Sequence, residues 1–94
     1  MTKRDKLRRK LRNNLKGRTK QEIETLLSHF GFRLDRISGS HHIFIFRDGE
    51  IIQRIVVPIH GQKIKPIYVK QVIEKIDELF PEDHNDNLEV NDDE

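Results

Sequence analysis

Residues 41–58 read HHIFIFRDGEIIQRIVVP, and this stretch decides the fold. On either side of Asp48-Gly49 stand runs rich in β-branched and aromatic residues, at about 41–47 and 51–58, which read as strands. Asp-Gly is among the best short hairpin signals because both residues accept positive φ, so the two runs are predicted to pair antiparallel through a tight turn. Pro58 cannot donate to a ladder and marks the end of the second run. Upstream, Ser38-Gly39-Ser40 punctuates the junction with a further run of the same kind at about 32–37, which makes a three-stranded antiparallel meander.

Helical periodicity flanks the meander. Ile23, Leu26, Leu27 and Phe30 fall at i, i+3, i+4 and i+7, one buried face of a helix. Thr19 with Glu22 three residues on has the form of a capping box that opens it, and Gly31 supplies the left-handed C-cap that closes it. After the strands and a polar, Gly-containing loop, Pro66 fits the first turn of a final helix. Val69, Val72, Ile73, Ile76 and Phe80 form its stripe, and Pro81 stops it. An earlier helix over 3–15 carries Leu7, Leu11 and Leu15 in a narrow line among cations, a stripe expected to pack weakly. The order α-α-β-β-β-α predicts an α+β fold, a three-stranded antiparallel sheet with helices on one face. The expected division is a basic helical arm over 1–18, one α+β domain over 19–80 and an acidic tail over 81–94. The tail has too little apolar area to offset ordering entropy and is expected to be disordered.

Charge follows the same division. The 94 residues carry a formal net charge of +2, but residues 1–20 hold ten Lys and Arg against Asp5 alone, residues 21–80 balance at eight each, and from Pro81 onward there are seven acids and no Lys or Arg. A basic arm and an acidic tail around a neutral domain suggest a polyanionic partner, nucleic acid being the usual one, against the plainer reading of a solvated surface. There is no cysteine, so disulfides and thiolate metal sites are excluded and only His, Asp or Glu could hold a metal. No apolar stretch follows the basic start as a secretion signal requires, and none approaches the roughly 20 residues that span a bilayer, so a soluble protein is expected, and the lack of cysteine fits a cytoplasmic one.

Two segments carry more than fold. Ile37 to Phe46, ISGSHHIFIF, and Val56 to Gly61, VVPIHG, resemble the HicA family of small toxins, whose pattern runs GF, a variable strand, GSH, an apolar strand, VPxHG and a Lys-rich turn into a helix. The matching residues are Gly31-Phe32, Gly39-Ser40-His41, Ile43-Phe44, Asp48-Gly49, Val57-Pro58, His60-Gly61, Lys63 and Lys65-Pro66, within about 22–79. The resemblance implies a fold like the double-stranded-RNA-binding domain and the toxin of a toxin-antitoxin pair. It implies a metal-independent mRNA endoribonuclease, without cofactor, that cleaves through the motif histidine, here His41. His60, the other motif histidine, is a secondary catalytic candidate, and Ser40, Lys63, Lys65 and Lys70 are candidates for holding RNA. The implied partners are mRNA and a HicB-like antitoxin. Ile67-Tyr68 departs from the Gly-Thr often found in the turn before the final helix, and the arm and tail are additions to the family pattern.

The chemistry is sound for those residue types. An imidazole can take a proton from a 2′-hydroxyl or give one to a leaving 5′-oxygen near neutral pH, and nearby cations stabilise charge on the phosphate. Strand alternation sends His41 and His42 to opposite faces, His42 with Phe44 and Phe46 toward the presumed core, His41 with Ile43 and Ile45 toward the freer face. His29 reads as a helix-surface residue and His84 as a tail residue. His41, His42 and His60 invite a zinc reading, but adjacent strand histidines diverge and no third ligand has recognisable spacing, so no metal is assigned. The basic arm reads equally as a phosphate contact or as a solvated helix. Two rivals to the ribonuclease stand beside it: a non-catalytic RNA-binding module, and a protein-interaction domain of the same fold.

Overall fold

The computed structural model describes residues 2–82. The elements follow in the order α1 (Lys3–Asn13), α2 (Lys20–His29), β1 (Phe32–Ser38), β2 (His41–Asp48), β3 (Ile51–Pro58) and α3 (Pro66–Leu79). This is an α+β fold with one antiparallel sheet in the order β1-β2-β3. The tail expected to be disordered lies outside the described residues from position 83 onward, and His84 with it.

Both hairpins turn on two residues, the first a glycine. His41 pairs with Ser38 across Gly39-Ser40, and Asp48 pairs with Ile51 across Gly49-Glu50. Asp48 is therefore the last residue of β2 rather than a turn residue. Gly49 takes φ 61, a backbone region that side chains with a Cβ resist, and this places the turn on Gly49-Glu50. Along β2 to β3 the register runs His41↔Pro58, Ile43↔Val56, Ile45↔Arg54 and Arg47↔Ile52 on one face, with His42↔Val57, Phe44↔Ile55 and Phe46↔Gln53 on the other. The β1 register shifts between Leu34 and Arg36, so that Arg36 pairs with Ile43 but Arg33 pairs with Ile45. This bulge brings Phe32 opposite Phe46, on the packed face.

The helix layer covers that second face. Phe32, Phe44, Ile55 and Val57 from the sheet meet Ile23, Leu26 and Leu27 of α2, Phe30 at its C-cap, and Val69, Val72, Ile73 and Ile76 of α3, all buried. The predicted capping box is present: Glu22 N–H donates to Thr19 Oγ1 at 3.2 Å and Thr19 N–H to Glu22 Oε1 at 3.0 Å. Gly31 follows α2 at φ 88, and a Cβ there would lie 3.2 Å from the Phe46 ring, so conformation and close approach both ask for glycine.

The weak packing expected of α1 is corrected. Leu11 is wholly buried in the same core, and Leu7 and Leu15 pack against it. The stripe is narrow, but arginine widens it. Arg8 is itself buried, 2% exposed, with its guanidinium 4.8 Å from the centre of the Phe30 ring. Its Nη1 donates to the Phe80 carbonyl at 2.6 Å, and ion pairs reach Asp5, Asp77 and Glu82. Arg12 also pairs with Asp77 and Glu82. A cation whose stem packs like a hydrocarbon and whose head meets acids anchors a helix that three leucines alone would hold poorly. Among the described residues no helix is long and apolar enough to cross a membrane.

Candidate active site

The sheet face away from the helices is uncovered, and His41 stands on it at the start of β2, opposite Ser38 and Pro58. His41 is exposed, whereas His42 is buried. The His42 Nδ1 lies 3.3 Å from the Ser40 carbonyl, so the tautomer protonated at Nδ1 donates to it and the ring is fixed under the sheet. Ile43 and Ile45 are half-buried beside His41, while Ile52 and Val56 are 54% and 44% exposed. An apolar strip of this kind on a free face is what a bound partner covers.

Backbone hydrogen bonds bring the motif segments to one end of the sheet. Ile59 N–H donates to the Ser40 carbonyl at 2.8 Å, which ties the turn before His41 to the residue before His60. The loop carrying His60 is held on both sides. His60 and Lys63 exchange backbone hydrogen bonds, Lys20 N–H donates to the Gln62 carbonyl at 2.9 Å, and Ile64 N–H donates to the Arg18 carbonyl at 3.2 Å. Ile59 and Ile64, each 4% exposed, sink its two ends into the core. His60 and Lys63 therefore project from an anchored turn.

His60, Lys63, Ile64 and Lys65 line an open depression of about 470 Å3, two cations and an imidazole with no acid among them. Lys65 occupies the N-cap position of α3 and is exposed, which leaves its ammonium open to a ligand. The Ser40–Ile59 hydrogen bond thus puts the turn before His41 next to the start of the His60 loop, while the depression is lined by His60, Lys63, Ile64 and Lys65 without Ser40 or His41. Lys70 is exposed farther along α3 and is not among the residues lining the depression. Among the described residues no group of three or more His, Asp or Glu is placed to hold a metal ion.

The register also collects four arginines that the sequence pattern alone does not single out: Arg33, Arg36, Arg47 and Arg54, all exposed and all on the His41 face. The signal for two of them is present in the sequence. Residues that alternate with His41 along β2 include Arg47, and any hairpin register that buries Phe44 against Ile55 puts Arg54 on the opposite face.

Residues 21–77 match the family described as the HicA toxin of bacterial toxin-antitoxin systems. That span holds β1 to β3, the loop of His60 and most of α3, and leaves out α1. No curated protein and no solved structure matches the chain.

Proposed function

The chain belongs to the HicA family of bacterial toxin-antitoxin toxins, and on that premise we propose that it is a cytoplasmic, metal-independent mRNA endoribonuclease acting through His41. The observation that carries this reading is the exposure of His41 on the uncovered sheet face, next to the Ser40 turn that is hydrogen-bonded to the start of the His60 loop. Its imidazole serves as the proton-transfer group, taking the proton of a 2′-hydroxyl as that oxygen attacks the neighbouring phosphorus, or protonating the 5′-oxygen that leaves. Lys63 and Lys65 supply positive charge for the phosphate, and His60, on the same loop, is the second candidate for proton transfer. A HicB-like antitoxin is the protein partner, and the apolar strip of Ile43, Ile45, Ile52 and Val56 offers it a surface.

The test is to incubate the purified chain with a defined RNA, with and without EDTA. Cleavage in both supports the proposal. Retention of intact RNA would make the chain a binding module, and neither cleavage nor retention would leave a protein-interaction domain.

A further inference from the structure

Residues 21–80 hold four arginines, and every one of them lies on the free face of the sheet. The lysines of the same span, Lys63, Lys65, Lys70 and Lys75, belong to the loop and α3. The face is built in rows. Arg36 stands beside Ile43 and Val56, Arg33 and Arg54 flank Ile45, and Arg47 stands beside Ile52. None of its paired positions is an acid, although the span has as many acids as bases; Asp35, exposed and unpaired in the bulge between Leu34 and Arg36, is the acid nearest to them along β1. The guanidinium of none of the four makes a hydrogen bond or ion pair with another described residue. Charge has been sorted, and the guanidiniums have been left open.

We infer that this face is the track on which a single RNA strand lies, with Arg33, Arg36, Arg47 and Arg54 holding phosphates of the segment that leads to His41. The inference rests on the ribonuclease reading, since a substrate of His41 has to cross the face on which His41 stands. From His41 to Arg47 is six residues of strand, about 20 Å at roughly 3.4 Å each, enough for several nucleotides. Guanidinium is suited to the task because its planar fork matches two phosphate oxygens, which an ammonium cannot do. Bases laid on Ile43, Ile45, Ile52 and Val56 find an apolar floor but no aromatic ring. They forgo the ~1–3 kcal/mol per base that aromatic stacking gives. Phosphate contacts must then dominate affinity, and such contacts show themselves in salt dependence.

The experiment measures binding of a fluorescein-labelled single-stranded RNA across a series of salt concentrations, in a His41→Ala background that keeps the RNA intact. Each phosphate that an arginine no longer neutralises lowers the slope of log affinity against log salt by about 0.7. Arg33→Gln with Arg54→Gln should flatten the slope by about 1.4, and all four Arg→Gln changes by about 2.8. Lys75→Gln, on the helix layer, should leave it unchanged. Circular dichroism and thermal melting confirm that each variant is folded. If the fourfold variant keeps the full slope while Lys63→Gln with Lys65→Gln flattens it, the strand runs over the loop and the inference is wrong. If the fourfold variant keeps its RNA slope but loses affinity for polyglutamate, the face takes an acidic polypeptide instead. If the unsubstituted chain neither binds nor cleaves RNA at any salt concentration, the ribonuclease reading itself falls.

Discussion

His41 and His42 are chain neighbours with opposite surroundings, and the difference sets what each substitution should do. His41→Ala removes an exposed imidazole and should lower RNA cleavage about a hundred- to ten-thousandfold, as loss of a general acid or base does, while the melting temperature stays within error. His42→Ala empties a buried position opposite Val57 and releases the Ser40 carbonyl from its 3.3 Å partner. It should cost about 1–3 kcal/mol, read as a lower melting temperature, with activity per folded molecule retained. If folded His42→Ala is inactive while His41→Ala cleaves normally, the roles are reversed. At this scale the sequence is legible, because alternation on a strand needs no tertiary knowledge. The same alternation reaches Arg47 and Arg54. A two-residue shift in hairpin register moves partners but not faces, so placing the turn on Asp48-Gly49 instead of Gly49-Glu50 does not hide them. Arg33 is another matter. Its face depends on the bulge between Leu34 and Arg36, which no local signal announces.

At the scale of elements, α2, α3 and the three strands can be read from periodicity, caps and turns, because each carries its own punctuation. The docking of α1 cannot. Leu7, Leu11 and Leu15 are visible, but the acids that meet Arg8 include Asp77 and Glu82 at the far end of the chain, and that pairing exists only once α3 is folded. Asp5 is the local member of the network. Burial alone would raise the pKa of its carboxyl, but the hydrogen bond from Thr2 and the charges of Arg8 and Arg4 outweigh it and hold the pKa below the ordinary value. A carboxylate depressed in the folded state adds stability above its unfolded pKa and loses it as pH falls through the folded one. Asp5→Asn should therefore destabilise the chain at neutral pH, and the gap to the unsubstituted protein should close as pH drops below about 4. Urea unfolding at neutral and acid pH measures it, and a gap that persists in acid would assign the loss to capping of α1 rather than to charge. Arg8→Ala should cost about 1–3 kcal/mol and keep most of that cost in high salt, because its partners meet a buried guanidinium.

Over the whole molecule, the sequence displays the charge polarity but not where it is spent. The basic start reads equally as a phosphate contact or as a solvated helix, and the acidic end as a disordered tail. The structure has already joined the two at one point: Glu82 pairs with Arg8, Arg9 and Arg12, so the first acid after α3 holds α1 in place. Two truncations one residue apart therefore separate structure from field. Ending the chain after Glu82 keeps the clamp and removes six acids and no Lys or Arg. RNA affinity should rise at low salt, where those acids repel a polyanion, and the gain should vanish at high salt as the Debye length shrinks to a few ångströms. Ending the chain after Pro81 removes Glu82 as well, leaving Arg8 with Asp5 and Asp77, so the same gain in RNA affinity should now come with a lower denaturation midpoint. Equal midpoints for the two truncations would show that Glu82 contributes nothing to α1 docking, and equal RNA affinity at every salt concentration would show that the acids beyond it do not act on the RNA-binding surface.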